Sequence, residues 1–501
     1  METILHILEG FTVALAGYNI LFGFLGCLLG TVVGVLPGLG PAATISLLLP
    51  VVYAMGSPTT SIIFLAGIYY GSMYGGSTTS ILLRLPGEAA SVVTAIDGYE
   101  MAKKGRAGAA LAIAAIGSFI AGTLGVIGLN FAGPPIAEFA LKFGPPEYFT
   151  LMLLGLMLAV FLTGGSPLKG CIMLFLGILL ANVGIDPLSG RYRFTFGTVA
   201  LMNGFDFVTI AMGMFGMSEI LLALEENISP EFVTKNIGRL WPTAKEWADS
   251  KWAIVRGSVI GFTIGVIPGG GAVISSLVSY SVEKKFAKEP ELFGKGSIAA
   301  VAGPESANNA ASSSSFIPLL TLGIPCNASI AMIYAALLIQ GVTPGPFLMK
   351  DHPQLFWGVI ASMYIGNVIL IILNLPLVGI WVKLLQVPFG ILGPIIILIT
   401  MVGSYSLENN MFHVWSFIGF GVFGYIMRKM KFEPGPLLMA FILSKLMENS
   451  MRQSLLLSGG SLSIFVARPL SGTFVAFFVL VLIFQIVGRL RKTGKKSAII
   501  S

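Results

Sequence analysis

Residues 303–329 read GPESANNAASSSSFIPLLTLGIPCNAS, and the fold turns on how they are read. Glu305, Ser306, Asn308, Asn309 and the serines at 312–315 crowd polar side chains into one short run, flanked by apolar segments in a chain of mean hydropathy +0.88. At membrane depth every hydroxyl, amide and broken backbone group needs a partner, so such a run survives only against protein or a water-filled cavity. The rival reading is an exposed serine-rich loop. A second polar run, GSMYGGSTTSILLRLPGEAAS at residues 71–91, stands at a related place earlier in the chain and argues against that reading.

Composition sets the class. Of 501 residues 55% are hydrophobic and only 11% charged, far below the roughly 25% charge of globular proteins. The expected fold is an all-α polytopic membrane protein. The net charge of +7 gathers at segment ends and in the tail, as loop anchoring requires, so nucleic acid is not an expected partner. Cys27, Cys171 and Cys326 show no pairing pattern, and His6, His352 and His413 are scattered without ligand spacing, so no zinc site is expected. GVIPGGG lacks the GK[ST] ending of a phosphate loop, and neither glycine run makes GxGxxG; no nucleotide chemistry and no enzyme activity is expected. METILHILEG carries no basic n-region, so it is read as mature chain.

The chain repeats itself. GVLPGLG (34–40) returns as GVIPGGG (265–271), an offset of 231. LRLPGEAAS answers LGIPCNAS with Pro86 and Pro325 offset by 239, and GIDP ending at Pro187 answers KFEP ending at Pro434. Basic residues then change halves at equivalent places: AMGSPTTS is uncharged where its counterpart is EKKFAKEPELFGK, and RKMKFEP answers ANVGIDP. By the positive-inside rule the halves have opposite orientation. Arg191 and Arg193, on the expected outside, run against this.

These features predict two inverted-topology repeats, 1–225 and 253–468, a cytoplasmic linker at 226–252, and an extra helix with a basic cytoplasmic tail at 469–501. Residues 1–18 are expected to lie at the outer interface. Each repeat is expected to hold a re-entrant hairpin with its glycine turn inside the membrane and a transmembrane segment broken at its polar run, the first break falling at residues 75–80. About eleven crossings follow, with the N-terminus periplasmic and the C-terminus cytoplasmic.

A broken helix offers free N–H groups to a carboxylate and unwound carbonyls to Na+. Arg84, beside the first polar run, is read as a partner for an anionic substrate, or as a cation that pairs with Glu88 or reaches the interface. Glu305 is read as a cation or proton site, or as a helix-start carboxylate.

At these residues a resemblance becomes specific. GVLPGLGPAATISLLLP, YYGSMYGGSTTSILLRLPGEAASVVTAIDGY and the GVIPGGG…GPESANNAA…PLLTLGIP block resemble the large membrane subunit of bacterial tripartite tricarboxylate transporters, the TctA family. The resemblance implies a bacterial inner-membrane permease that works with a small membrane subunit and a periplasmic solute-binding protein. It implies cation-coupled import of citrate-like or other carboxylates; a channel or exporter acting without a binding protein is the alternative. Within the motifs the expected substrate ligands are Gly38, Gly40, Gly76, Ser77, Thr78, Thr79, Ser80, Arg84, Gly269, Gly270, Asn308, Asn309, Ser312, Ser313 and Asn327. Glu305, Ser306 and Pro325 are the expected cation ligands. No cofactor is expected beyond the coupling ion, Na+ or H+; homo-oligomerisation and the identity of the carboxylate are left open.

Overall fold

The computed structural model describes residues 2–36, 39–162, 166–186, 188–226, 237–384, 389–407 and 409–500. The chain is almost entirely helical. Its helices are α1 (Glu2–Ala14), α2 (Gly17–Val35), α3 (Pro41–Met55), α4 (Pro58–Leu83), α5 (Val92–Lys103), α6 (Ala107–Ala140), α7 (Pro145–Leu162) and α8 (Pro167–Ala181). A short antiparallel hairpin, β1 (Gly184–Ile185) and β2 (Tyr192–Arg193), leads to α9 (Phe207–Ala211), a π-helical turn (Met212–Met217) and α10 (Ser218–Glu226). There follow α11 (Ala244–Gly265), α12 (Gly271–Phe286), α13 (Ala299–Ser314), α14 (Phe316–Leu322), α15 (Ala328–Ile339), α16 (Leu348–Asp351), α17 (Pro353–Asn374) and α18 (Val378–Leu384). The last are α19 (Phe389–Ser406), α20 (Met411–Lys429), α21 (Gly435–Leu457), α22 (Ile464–Ala467) and α23 (Pro469–Ile500).

Among the described residues five helices are long and apolar enough to cross a membrane: Gly17–Val35, Ala107–Ala140, Pro145–Leu162, Phe207–Glu225 and Pro353–Asn374. Shorter apolar helices accompany them.

The polar runs do not break their helices. Residues 75–80 lie inside α4, which starts at the Ser57 cap with Pro58 in its first turn and stays helical to Leu83. Likewise α13 runs unbroken through GPESANNAASSS, and Ser315, itself in right-handed helical conformation, makes the one-residue turn to α14. The reason is local: Ser312 and Ser313 donate back to the carbonyls of Asn308 (2.9 Å) and Asn309 (3.2 Å), which satisfies the hydroxyls without opening the helix. The interruptions come about four residues or more later, where a left-handed residue ends the helix and proline follows. Arg84 ends α4 in the left-handed region (φ 61), Pro86 follows, and the chain restarts with Glu88 as cap. Gly323 ends α14 the same way (φ 69), Pro325 follows, and Asn327 caps α15.

Packing repeats as well. Gly26, Gly30 and Gly34 line one face of α2, where an added Cβ would lie 2.3–2.4 Å from the carbonyl oxygens of Phe64, Ile68 and Ser72 in α4. Gly257, Gly261 and Gly265 of α11 meet the carbonyls of Gly303, Ala307 and Ala311 in α13 at 2.2–2.5 Å. The glycines of the two sets are 231 residues apart and the carbonyls 239 apart, the offsets of the sequence motifs. Backbones this close are the usual device for joining helices in lipid, where the hydrophobic effect cannot.

Three local details bear on these expectations. Helix α11 begins at Ala244, inside the stretch expected as linker, because Thr243 and Glu246 form a capping box there. At 22 residues it is about 33 Å long, comparable to a hydrocarbon core of about 30 Å, so this arm of the expected re-entrant hairpin is not too short to cross. Helix α1, expected at the outer interface, packs on the protein through His6, which stacks on Trp357 of α17 at 5.7 Å. Arg193, which ran against the inverted orientation, is neutralised where it stands by Asp186 (2.7 Å) and Glu448 (3.0 Å).

Candidate functional site

Helices α4 and α13 run antiparallel through the centre of the molecule, and their polar residues meet there. Glu305 is fully buried; its carboxylate accepts from Ser77 of α4 (2.6 Å) and from Thr94 of α5. Three residues on, one turn along the same face, Asn308 donates from Nδ2 to Oε1 of Glu88 (3.1 Å). The other oxygen of Glu88 caps the turn that opens α5, accepting from the Ala90 N–H at 2.6 Å. Two buried carboxylates thus share one polar cluster, and among the described residues no Lys, Arg or His is bonded to either.

Further along the pair of helices the cluster turns neutral. Tyr69 of α4 places its hydroxyl among Ser312, Ser315 and Asn327, accepting from Asn327 Nδ2 at 3.0 Å. Asn327 at the same time caps α15 through Oδ1 to the Ile330 N–H (3.0 Å).

The expected ligands divide between this cluster and its walls. Ser77, Glu305, Asn308, Ser312 and Asn327 are in it. Thr79 donates to the Val35 carbonyl (2.6 Å), Ser80 bonds the Ser91 hydroxyl (2.9 Å), and Thr78 is buried beside them. Gly76 lets the link before α5 lie on α4: a Cβ there would be 2.8 Å from Glu88 Cγ. Asn309 and Ser313 turn to α6, bonding Ser118 (2.7 Å) and the Gly122 carbonyl (3.3 Å). Ser306 faces glycines of α6 and α11, since a Cβ on Gly117 would lie 2.9 Å from its hydroxyl. Pro325 is buried in the link before α15, next to Cys326, whose carbonyl accepts from the Gly269 N–H at the α11–α12 tip (2.7 Å). Gly270 packs beside it, 2.5 Å from the Ile264 carbonyl for an added Cβ. Gly40 donates its N–H to Glu219 (3.0 Å), itself paired with Arg428 (2.9 Å). Gly38 lies outside the described residues.

Arg84 stands apart. It is exposed, stacks over Tyr99 at 5.4 Å, and does not bond Glu88, whose carboxylate is engaged by Asn308 and Ala90.

Several participants were not singled out from the sequence: Glu88 as a member of the cluster, Thr94, Tyr69, Ser118 and Glu219. The PGEAAS run carried a signal for Glu88, since an acidic residue after Pro-Gly and before a helical stretch is a cap. A cavity of about 630 Å³ was also missed; Asn203, Asp206, Asn410, His413 and Lys445 line it together with the last turns of α15, whose first residue adjoins the neutral end of the cluster.

Comparison with known proteins agrees with this motif-centred architecture. The family model described as "Tripartite tricarboxylate transporter TctA family" matches residues 20–439. A protein of Agrobacterium vitis described as an uncharacterized 52.8 kDa protein in the TAR-I ttuC' 3' region is 48% identical over 496 residues, 99% of each chain. A second from the same organism, in the TAR-II ttuC' 3' region, is 47% identical over 231 residues, which is 46% of this chain and 96% of its own. No solved structure matches. The chain is a multi-pass membrane protein of the tripartite tricarboxylate transporter TctA family.

Proposed function

We propose that this chain is the permease subunit of a secondary transporter that imports citrate-like di- or tricarboxylates together with Na+. A periplasmic binding protein delivers the substrate and a small membrane subunit completes the assembly. The chain is read as two inverted repeats with about eleven crossings, and alternating access runs around the polar centre between α4 and α13. The observation that carries the reading is a matched pair of buried contacts. Glu88 to Asn308 and Asn327 to Tyr69 each join a cap of one half to a helix of the other. A site shared in this way by two halves is what exchange of access between two faces requires.

Roles follow from charge. The acidic end, Glu305 with Ser77 and Thr94, takes the coupling cation. The neutral end, Tyr69, Ser312 and Asn327 with the first N–H groups of α15, takes a substrate carboxylate, where the helix N-terminus supplies about half a positive charge. A citrate-like anion moving inward against an inside-negative potential costs about 2.3 kcal/mol per charge per 100 mV, and co-bound cations offset that. Arg84, exposed over Tyr99, is left outside the site.

Proteoliposomes test this directly. Labelled citrate should undergo counterflow, and uptake should rise with an inward Na+ gradient and respond to membrane potential. Flux without counterflow would make the protein a channel, and uptake indifferent to Na+ but driven by external acid would move the coupling ion to H+.

A further inference from the structure

The cation reading above names one carboxylate; the geometry points to two. We propose that Glu88 is a direct ligand of the coupling ion, so that one Na+ is held between Glu88, Glu305 and the amide oxygen of Asn308. This rests on the cation-coupled reading and adds to it which groups from which segments hold the ion.

The argument is a count of donors and acceptors. Glu305 is 0% exposed and Glu88 7%. Two hydroxyls, Ser77 and Thr94, donate to Glu305, while the Ala90 N–H and Asn308 Nδ2 donate to Glu88. Each carboxylate oxygen therefore has one donor and retains acceptor capacity. No positive side chain is bonded to either group among the described residues, and the nearest arginine in sequence, Arg84, is spent on Tyr99. A second observation is independent of the acids. Asn308 Oδ1 is fully buried and has no hydrogen-bond partner, although its own Nδ2 is fixed on Glu88 and so holds the oxygen beside that carboxylate. Unfilled acceptor capacity thus gathers in the cluster, and the uncompensated charge is negative. A buried site of that kind calls for a cation, because unpaired carboxylates out of water are strongly disfavoured.

The donor set selects the ion. All the free atoms are oxygen, which suits a hard cation. Two carboxylates and one amide oxygen fall short of the six to eight oxygens that Ca2+ takes. At the mirror position the cap is neutral Asn327 on neutral Tyr69, so only one end of the shared site draws a cation. Glu88 belongs to the link after α4, whereas Glu305 and Asn308 belong to α13. The bound ion therefore clamps elements from the two halves of the chain together.

The test is thermal unfolding of the purified full-length chain in detergent, titrated with NaCl against choline chloride at constant ionic strength. The wild type should be stabilised in a saturable way. Glu305→Gln and Glu88→Gln should each raise the Na+ midpoint roughly thirtyfold or more, as expected when one partner of a buried charge interaction is neutralised. Asn308→Ala keeps both charges and should shift the midpoint in the same direction. A normal midpoint in Glu88→Gln, with the response lost in Glu305→Gln, overturns this inference and leaves Na+ coupling at Glu305 standing. Wild-type stabilisation by CaCl2 or by acidification, with none by Na+, overturns both. Should Glu88→Gln not be recovered as a monodisperse protein, an unchanged midpoint in Asn308→Ala is the overturning result.

Discussion

Asn308 donates to Glu88 at 3.1 Å, and this bond is the counterpart of the one from Asn327 to Tyr69 at 3.0 Å. Asn327 follows Glu88 by 239 residues and Asn308 follows Tyr69 by the same 239. Each half lends its cap to the other half's helix.

The neutral member of this pair can be measured by a double-mutant cycle. Tyr69→Phe leaves Asn327 Nδ2 without its buried acceptor and should cost about 1–3 kcal/mol. Asn327→Ala removes both that bond and the α15 cap, the cap alone being worth about 1 kcal/mol. In thermal unfolding the double variant should lose less than the sum of the singles. Additive losses would mean that the bond does not form.

The glycine seams allow no side chain. A Cβ on Gly30 would sit 2.4 Å from the Ile68 carbonyl, and one on Gly261 2.2 Å from that of Ala307. Gly30→Ala and Gly261→Ala should each destabilise by about 1–3 kcal/mol or prevent folding. Gly419→Ala in α20, with nothing within 4 Å, should instead be neutral or stabilise by up to about 1 kcal/mol. Similar melting temperatures for all three would refute the seams.

Orientation is accessible to labelling. Cysteines introduced at Ser57 and Lys288, 231 residues apart, should react with an impermeant maleimide from opposite sides of the membrane in intact cells and inverted vesicles. Reaction from the same side would rule out inverted halves.

Arg84 occupies the left-handed conformation that Gly323 fills in the second half. Arg84→Gly should therefore melt at the wild-type temperature or higher, a gain of up to about 1–2 kcal/mol. It should also retain carboxylate uptake. Loss of uptake with unchanged stability would return Arg84 to the substrate.

Asp186 fixes the β1–β2 hairpin. The Ser189 hydroxyl first, then the Leu188 N–H and the guanidinium groups of Arg452 and Arg193, hold its carboxyl well below the usual carboxylate range against the opposing effect of burial. A depressed folded value means that the stabilisation is complete above the unfolded value near 3.9 and fades only as pH falls toward the folded one. Hydrogen exchange in residues 184–193 should therefore stay protected across pH 5 to 8 and rise in Asp186→Asn. Protection factors, taken relative to the intrinsic exchange rate at each pH, that change between pH 5 and 8 in the wild type would show that Asp186 does not hold the hairpin.

Much of this was legible in the chain itself. Pro86 and Pro325 mark both interruptions, because each follows a residue in the left-handed conformation and disfavours helix at the residue before it; Pro304, with no such residue ahead of it, is carried inside α13. The polar runs were misplaced as breaks because Ser and Thr compete with the helix only until a carbonyl one turn back accepts their hydroxyl, as happens for Ser312 and Ser313. The four-residue spacing of Gly26, Gly30 and Gly34 places them on one helix face, but the sequence reading singled out neither that face nor its partner in α4. Glu88 was read through its neighbour Arg84, and only the fold shows that it turns the other way, toward Asn308. Thr94 and Ser118 lie far from Glu305 and Asn309 along the chain, and no local pattern joins them.

The two hairpin tips are fastened by different chemistry. Gly40 is tied to a side chain, Glu219, which Arg428 also holds, whereas Gly269 is tied main chain to main chain at Cys326. The first fastening is ionic and answers to salt, to neutralisation of one carboxylate and to any movement of α20. The second can be undone only by displacing backbone. Two equivalent tips thus differ in what releases them: the first should loosen as salt rises or as Glu219 is neutralised, and the second should not.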